Sequence, residues 1–80
     1  MEVLENIKDL YVDDFYHVIH SIKLDGLVKE THKWLDVFWR VTDDDAGTPM
    51  AKSDVDVLVE GISHLDEETL KGYLDEVSAD

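Results

Sequence analysis

The residues of this 80-residue chain able to do chemistry are four histidines, four serines and twenty carboxylates, with no cysteine to serve as thiolate nucleophile or metal ligand. The tightest His pairing is "HVIH", which puts His17 and His20 three apart. On a helix they share a face and could clip a metal beside Asp13 or Asp14. On a strand they point to opposite sides. No third ligand stands at metal spacing, so surface or satisfied core histidines are the expected reading. Ser21, Ser53, Ser63 and Ser78 lie in no nucleophile-elbow context, and the isolated Gly26, Gly47, Gly61 and Gly72 form no phosphate loop. The acid-rich stretch "TDDDAG" fails as a calcium loop. With Gly47 at the sixth position, Thr42 and Ala46 occupy the first and fifth, where acids are required. Carboxylate pairs occur throughout, but none is set apart in a cleft with two differing environments, as an acid/base dyad needs. The expectation is a protein that is not an enzyme and carries no cofactor and no metal.

What remains is the charge. Twenty Asp and Glu face seven Lys and Arg, a formal charge of -13, while hydrophobic residues make up 44% of the chain. That is globular composition, not a disordered acidic tail. A field of this sign repels nucleic acid and anionic membranes and attracts basic proteins. The acidic start "MEVLENIKD" does not read as a signal peptide, and no apolar run approaches the ~20 residues of a membrane span. Cytoplasmic location, in the host cell if the chain is phage-encoded, is the expectation.

The elements that must position these acids are read from hydrophobic spacing. Val3, Leu4, Ile7, Leu10 and Tyr11 predict an amphipathic helix over residues 2–11. Asp25-Gly26, flanked by apolar runs, is a hairpin signal. Before it, Tyr16, Val18, His20, Ile22 and Leu24 alternate with Phe15, His17, Ile19, Ser21 and Lys23. After it, Leu35, Val37, Trp39 and Val41 alternate with Trp34, Asp36, Phe38 and Arg40. Helical stripes compete here, but Val55, Val57 and Val59 at strict period two, with Asp54, Asp56 and Glu60 opposite, favour strands. The chain closes with a helix capped by Asp66, its first turn acidic at Glu67 and Glu68, a Leu65–Leu70 staple, and a stripe of Leu70, Tyr73, Leu74 and Val77.

The predicted fold is therefore α+β. One domain over residues 1–80 runs helix, three-stranded antiparallel meander, helix, with both helices on one sheet face; an all-α helical bundle is the alternative. In the α+β arrangement Phe15, Ile19, Trp34 and Phe38 fall on the sheet face away from the core. A homodimer through that face is one way to cover them, and it would also help so small a core.

The segments "EVLENIKDLY", "FWRVTDDDAG", "DVDVLVEG" and "LDEETLKGYLDEV", in order, length and acidity, resemble the small acidic DNA-mimic proteins, many of them phage-encoded. The resemblance implies an inhibitor that occupies the nucleic-acid-binding surface of a basic host protein, such as an HU-type nucleoid protein, a nuclease or a CRISPR effector. It does not bind nucleic acid or membrane itself. The acidic surface expected to meet that partner comprises Asp43, Asp44 and Asp45 between the second and third strands, and Asp54, Asp56 and Glu60 along the third. Asp66, Glu67, Glu68, Asp75 and Glu76 complete it on the last helix. The other reading is an interaction regulator that binds through the apolar aromatic face, with charge serving only solubility.

Overall fold

A computed structural model describes residues 2–43 and 51–78, and these residues form five helices. They are α1 (Glu2–Lys8), α2 (Val12–Leu24), α3 (His32–Asp43), α4 (Lys52–Glu60) and α5 (Glu67–Ser78). No strand occurs among the described residues, so the α+β meander is overturned in favour of the all-helical arrangement.

The three central segments are helical for the same physical reason. On α2 the buried residues are Phe15, Val18, Ile19 and Ile22. On α3, Trp34, Val37 and Phe38 are buried and Val41 packs against them. Around α4 the set is Val55, Leu58, Val59 and Ile62, the first partly and the rest fully buried. Each set stands at i, i+3, i+4, i+7, the single stripe of an amphipathic helix. A period of two splits each stripe between opposite faces. That split created the apparent second apolar sheet face of Phe15, Ile19, Trp34 and Phe38. All four are core residues, at 2%, 0%, 1% and 2% exposure, so they offer no surface to a second copy or any other partner.

Asp25-Gly26 ends a helix instead of turning a hairpin. Gly26 has a φ of 74°, its N–H donates to the Lys23 carbonyl, and the Leu27 N–H donates to the Ile22 carbonyl. This pair of bonds, with a left-handed glycine just past the cap, is the Schellman motif. A β-carbon at Gly26 would meet nothing within 4 Å, so the backbone conformation alone calls for glycine.

The helices expected at the two ends are present. α1 stops at Lys8 and buries Val3 and Ile7, but Tyr11, assigned to its apolar stripe, is 85% exposed ahead of α2. α5 follows Asp66, whose Oδ1 accepts the Thr69 N–H at 2.9 Å. Leu70 is fully buried, with Tyr73, Leu74 and Val77 packed on the core. α5 contacts α1 and α2, while α4 contacts α1 and α3.

Candidate protein-interaction surface

Trp34 is the largest fully buried side chain and the link between α3 and α4. Thr31 caps α3 by accepting the Trp34 backbone N–H on its Oγ1 at 3.1 Å. The indole N–H donates to the Leu58 carbonyl at 3.1 Å. That carbonyl needs a donor because the chain tightens as α4 ends. Ile62 N–H donates to Val59, three residues back, instead of to Leu58. Gly61 lies against the same ring, and a β-carbon there would collide with the indole. The Gly61 carbonyl accepts the Lys29 N–H at 2.8 Å, which ties the α2–α3 connection to the end of α4. Phe38 extends the aromatic packing. It stacks on Trp34 at 5.1 Å between centroids and on Tyr16 at 5.8 Å, and Lys23 Nζ sits 5.1 Å from its ring centre. Trp39, not Trp34, is the exposed tryptophan.

The described carboxylates all lie outside this core, for none of the described charged residues is buried. Their roles differ. Asp54, with a side chain 20% exposed, is held by Arg40 Nη2 at 2.6 Å across the α3–α4 contact. Asp66 is committed to capping α5. The Thr69 hydroxyl, then the Thr69 N–H, holds its carboxyl below the usual carboxylate range. Asp56 reaches Lys8 of α1 at 3.9 Å and is exposed. Glu60, Glu67, Glu68, Asp75 and Glu76 are exposed and make no ion pair among the described residues. Asp54, Asp56 and Glu60 therefore do not line one strand edge as expected. Asp56 and Glu60 share a helical face at i, i+4, while Asp54 turns toward α3. Asp44 and Asp45 lie outside the described residues, as does the side chain of Asp43.

α1 carries acids the sequence reading left out of the site. Glu2 and Glu5, with Asp9 just past the helix end, are exposed, and α1 adjoins both α4 and α5. The signal for including them was their place opposite Val3 and Ile7 on an amphipathic helix. Acids thus stand on three helices in mutual contact through α1.

No family model, curated protein or solved structure matches this chain. The site must be read from its own geometry.

Tyr73 shows how α5 is moored. Its hydroxyl donates to an Asp25 carboxylate oxygen just past α2. The Tyr73 pKa is pushed up to about 12, chiefly by that hydrogen bond, then by desolvation and by the neighbouring charges of Asp25 and Glu76. His17 is exposed and His20 half-buried on α2, with the His20 ring stacked 6.1 Å from Phe38. Among the described residues no group of three His, Asp or Glu side chains could hold a metal. No described helix is long and apolar enough to cross a membrane.

Proposed function

We propose that this protein is an acidic DNA mimic that inhibits a basic DNA-binding protein by occupying its nucleic-acid surface. The observation that carries the reading is where its carboxylates stand. Glu60 is the last residue of α4, and Asp75 and Glu76 lie in the last turns of α5. Neither helix has a basic residue in its last turn. The macrodipole disfavours acids there by roughly 0.3–1 kcal/mol each, and no ion pair among the described residues offsets it. Local folding energetics therefore do not account for these charges, and a cationic partner does.

The scaffold supports the same reading. The Cα radius of gyration is 11.6 Å. A compact domain of this length is expected at ~12 Å. Carboxylates i, i+4 on such helices stand about 6 Å apart. Duplex DNA offers one charge per ~1.7 Å of axis counting both strands, so a packed acidic body presents anions at a density a phosphate-binding groove can accept. Holding them on folded helices spares the ordering entropy a floppy acidic tail would lose on binding.

The test is competition. A short fluorescent duplex is bound by an HU-type nucleoid protein, by a nuclease inactivated at its catalytic centre, or by a CRISPR effector, and the acidic protein is titrated in. Displacement of the duplex from one of them at low salt, weakening steeply as salt rises, is the expected result. Failure to displace it from any of the three at low salt, or displacement indifferent to salt, overturns the proposal.

A further inference from the structure

The geometry points to a second binding site of opposite character, a recess that takes a small oxyanion, a carboxylate or a phosphate. The recess has a volume of about 300 Å³ and lies where the start of α3 meets the end of α4. Its charged lining is Lys29, Lys33 and one acid, Glu60, with His64 beside them. Thr31 and Ser63 add hydroxyls, and Trp34, Val57 and Gly61 complete the walls.

Three features set this site apart. First, its lysines are not spent on ion pairs. Among the described residues Lys8, Lys23 and Arg40 are engaged by carboxylates, whereas Lys29, Lys33, Lys52 and Lys71 are not, and of these four Lys29 and Lys33 share the recess. Glu60, though it lines the same recess, comes within 4 Å of neither. Second, the lining is anchored. The Lys29 backbone is bonded to Gly61, the ring of His64 is bonded through Nε2 to the Leu27 carbonyl at 2.9 Å, and Trp34 is fixed to Leu58. Third, the donors are unspent. The Thr31 oxygen accepts the Trp34 N–H, which leaves its O–H to donate. The Lys33 N–H, in the first turn of α3, has no intrahelical acceptor. Two lysines, a histidine, a threonine with an unspent hydroxyl and a helix start line one recess, and that set is matched by a compact anion with several acceptor oxygens. Glu60 sets the limit, since a highly charged anion would meet its repulsion.

The experiment is a heteronuclear NMR titration of the whole protein with sodium phosphate and, separately, sodium acetate, against sodium chloride at matched ionic strength and pH. Saturable shifts confined to the amides of Lys29, Thr31, Lys33, Gly61, Ser63 and His64 and to the Trp34 indole N–H are expected. In the Lys29→Gln/Lys33→Gln variant the dissociation constant should rise at least ten-fold. Both lysines are exposed, so the variant should keep its fold, checked by the unchanged dispersion of its other resonances. Saturation with phosphate alone assigns a phosphate ligand, with acetate alone a carboxylate, and with both the shared oxyanion chemistry. Shifts no larger than those of chloride, or a dissociation constant unchanged in the double variant, overturn the site.

Discussion

The α3–α4 seam and the α1–α5 side of the molecule are built on opposite rules. At the seam one indole satisfies an orphan carbonyl, one glycine makes room for it, and the surrounding residues are apolar and buried. Even the surface charge is nearly balanced there. Over residues 23–42 and α4, Lys23, Lys29, Lys33, Arg40 and Lys52 stand against Asp25, Glu30, Asp36, Asp54, Asp56 and Glu60. On α1 and α5 the apolar stripes are ordinary, and Glu2, Glu5, Glu67, Glu68, Asp75 and Glu76 dominate the exposed faces, with Lys8 and Lys71 as the only cations. The seam carries specificity of fold through packing, where misfits are costly. On the proposed function the acidic side would supply long-range attraction, where single contacts matter little and total charge matters much. Changes at the seam should therefore alter folding, and changes on the acidic side should alter binding.

The largest effects belong to the seam. Trp34→Ala should cost about 3–5 kcal/mol from the lost ring, and the Leu58 carbonyl loses its donor as well, so the variant should be largely unfolded by circular dichroism. Leu58→Asp should do the same, because Leu58 is fully buried. Val57→Asp should be much milder, since Val57 is half-buried at the recess. Equal damage from the two would mean that α4 is rotated from the face described above.

Gly61→Ala comes next, at about 1–3 kcal/mol from overpacking against the indole, read as a lowered denaturation midpoint with an unchanged slope. A neutral outcome would show that Trp34 can withdraw, and the seam would be less tightly specified than the acidic side is charged.

Among the exposed acids, neutralising Asp75 and Glu76 of α5 together with Glu60 at the end of α4, as Asn, Gln and Gln, should leave thermal stability unchanged or raise it, because dipole-disfavoured charges are removed. Partner affinity at low salt should fall at least ten-fold. Loss of stability with unaltered affinity would reverse the division of labour between the two regions.

The smallest effects are pH limits on α5. Tyr73 has its pKa raised in the fold, so its hydrogen bond contributes below pH 10 and is lost as pH rises toward about 12. Tyr73→Phe should cost about 1 kcal/mol at neutral pH, and its deficit relative to the parent should vanish over that alkaline interval. Asp66 has its pKa lowered, so its cap contributes above the ordinary value of 3.8 and is lost as pH falls through the lowered one. Asp66→Ala should be less stable than the parent at neutral pH and converge with it in acid.

The terminal helices were legible in the sequence because their polar and apolar residues fit only one period. Leu70, Tyr73, Leu74 and Val77 behind an Asp66 cap leave no strand alternative. The middle of the chain fits two. Val55, Val57 and Val59 satisfy period two, yet Val55, Leu58, Val59 and Ile62 satisfy the helix, and local spacing does not choose between them. Asp25-Gly26 is equally ambiguous, since a glycine with positive φ serves a hairpin or a helix end. The acidic residues named from sequence were mostly found at the surface, but their grouping changed with the helices, and the basic recess left no local signal. Its lysines and His64 are distant in sequence and meet only where α3 crosses the end of α4.

The sequence by itself determined the sign and size of this protein's field and the lack of a thiol through its composition, and the two end helices through strongly amphipathic spacing. Only the tertiary structure decided that the central segments are helices, that Phe15, Ile19, Trp34 and Phe38 are core, and which acids are free. A period shared by two conformations is resolved only by what each face is packed against, and a carboxylate's role depends on the partner that folding brings to it.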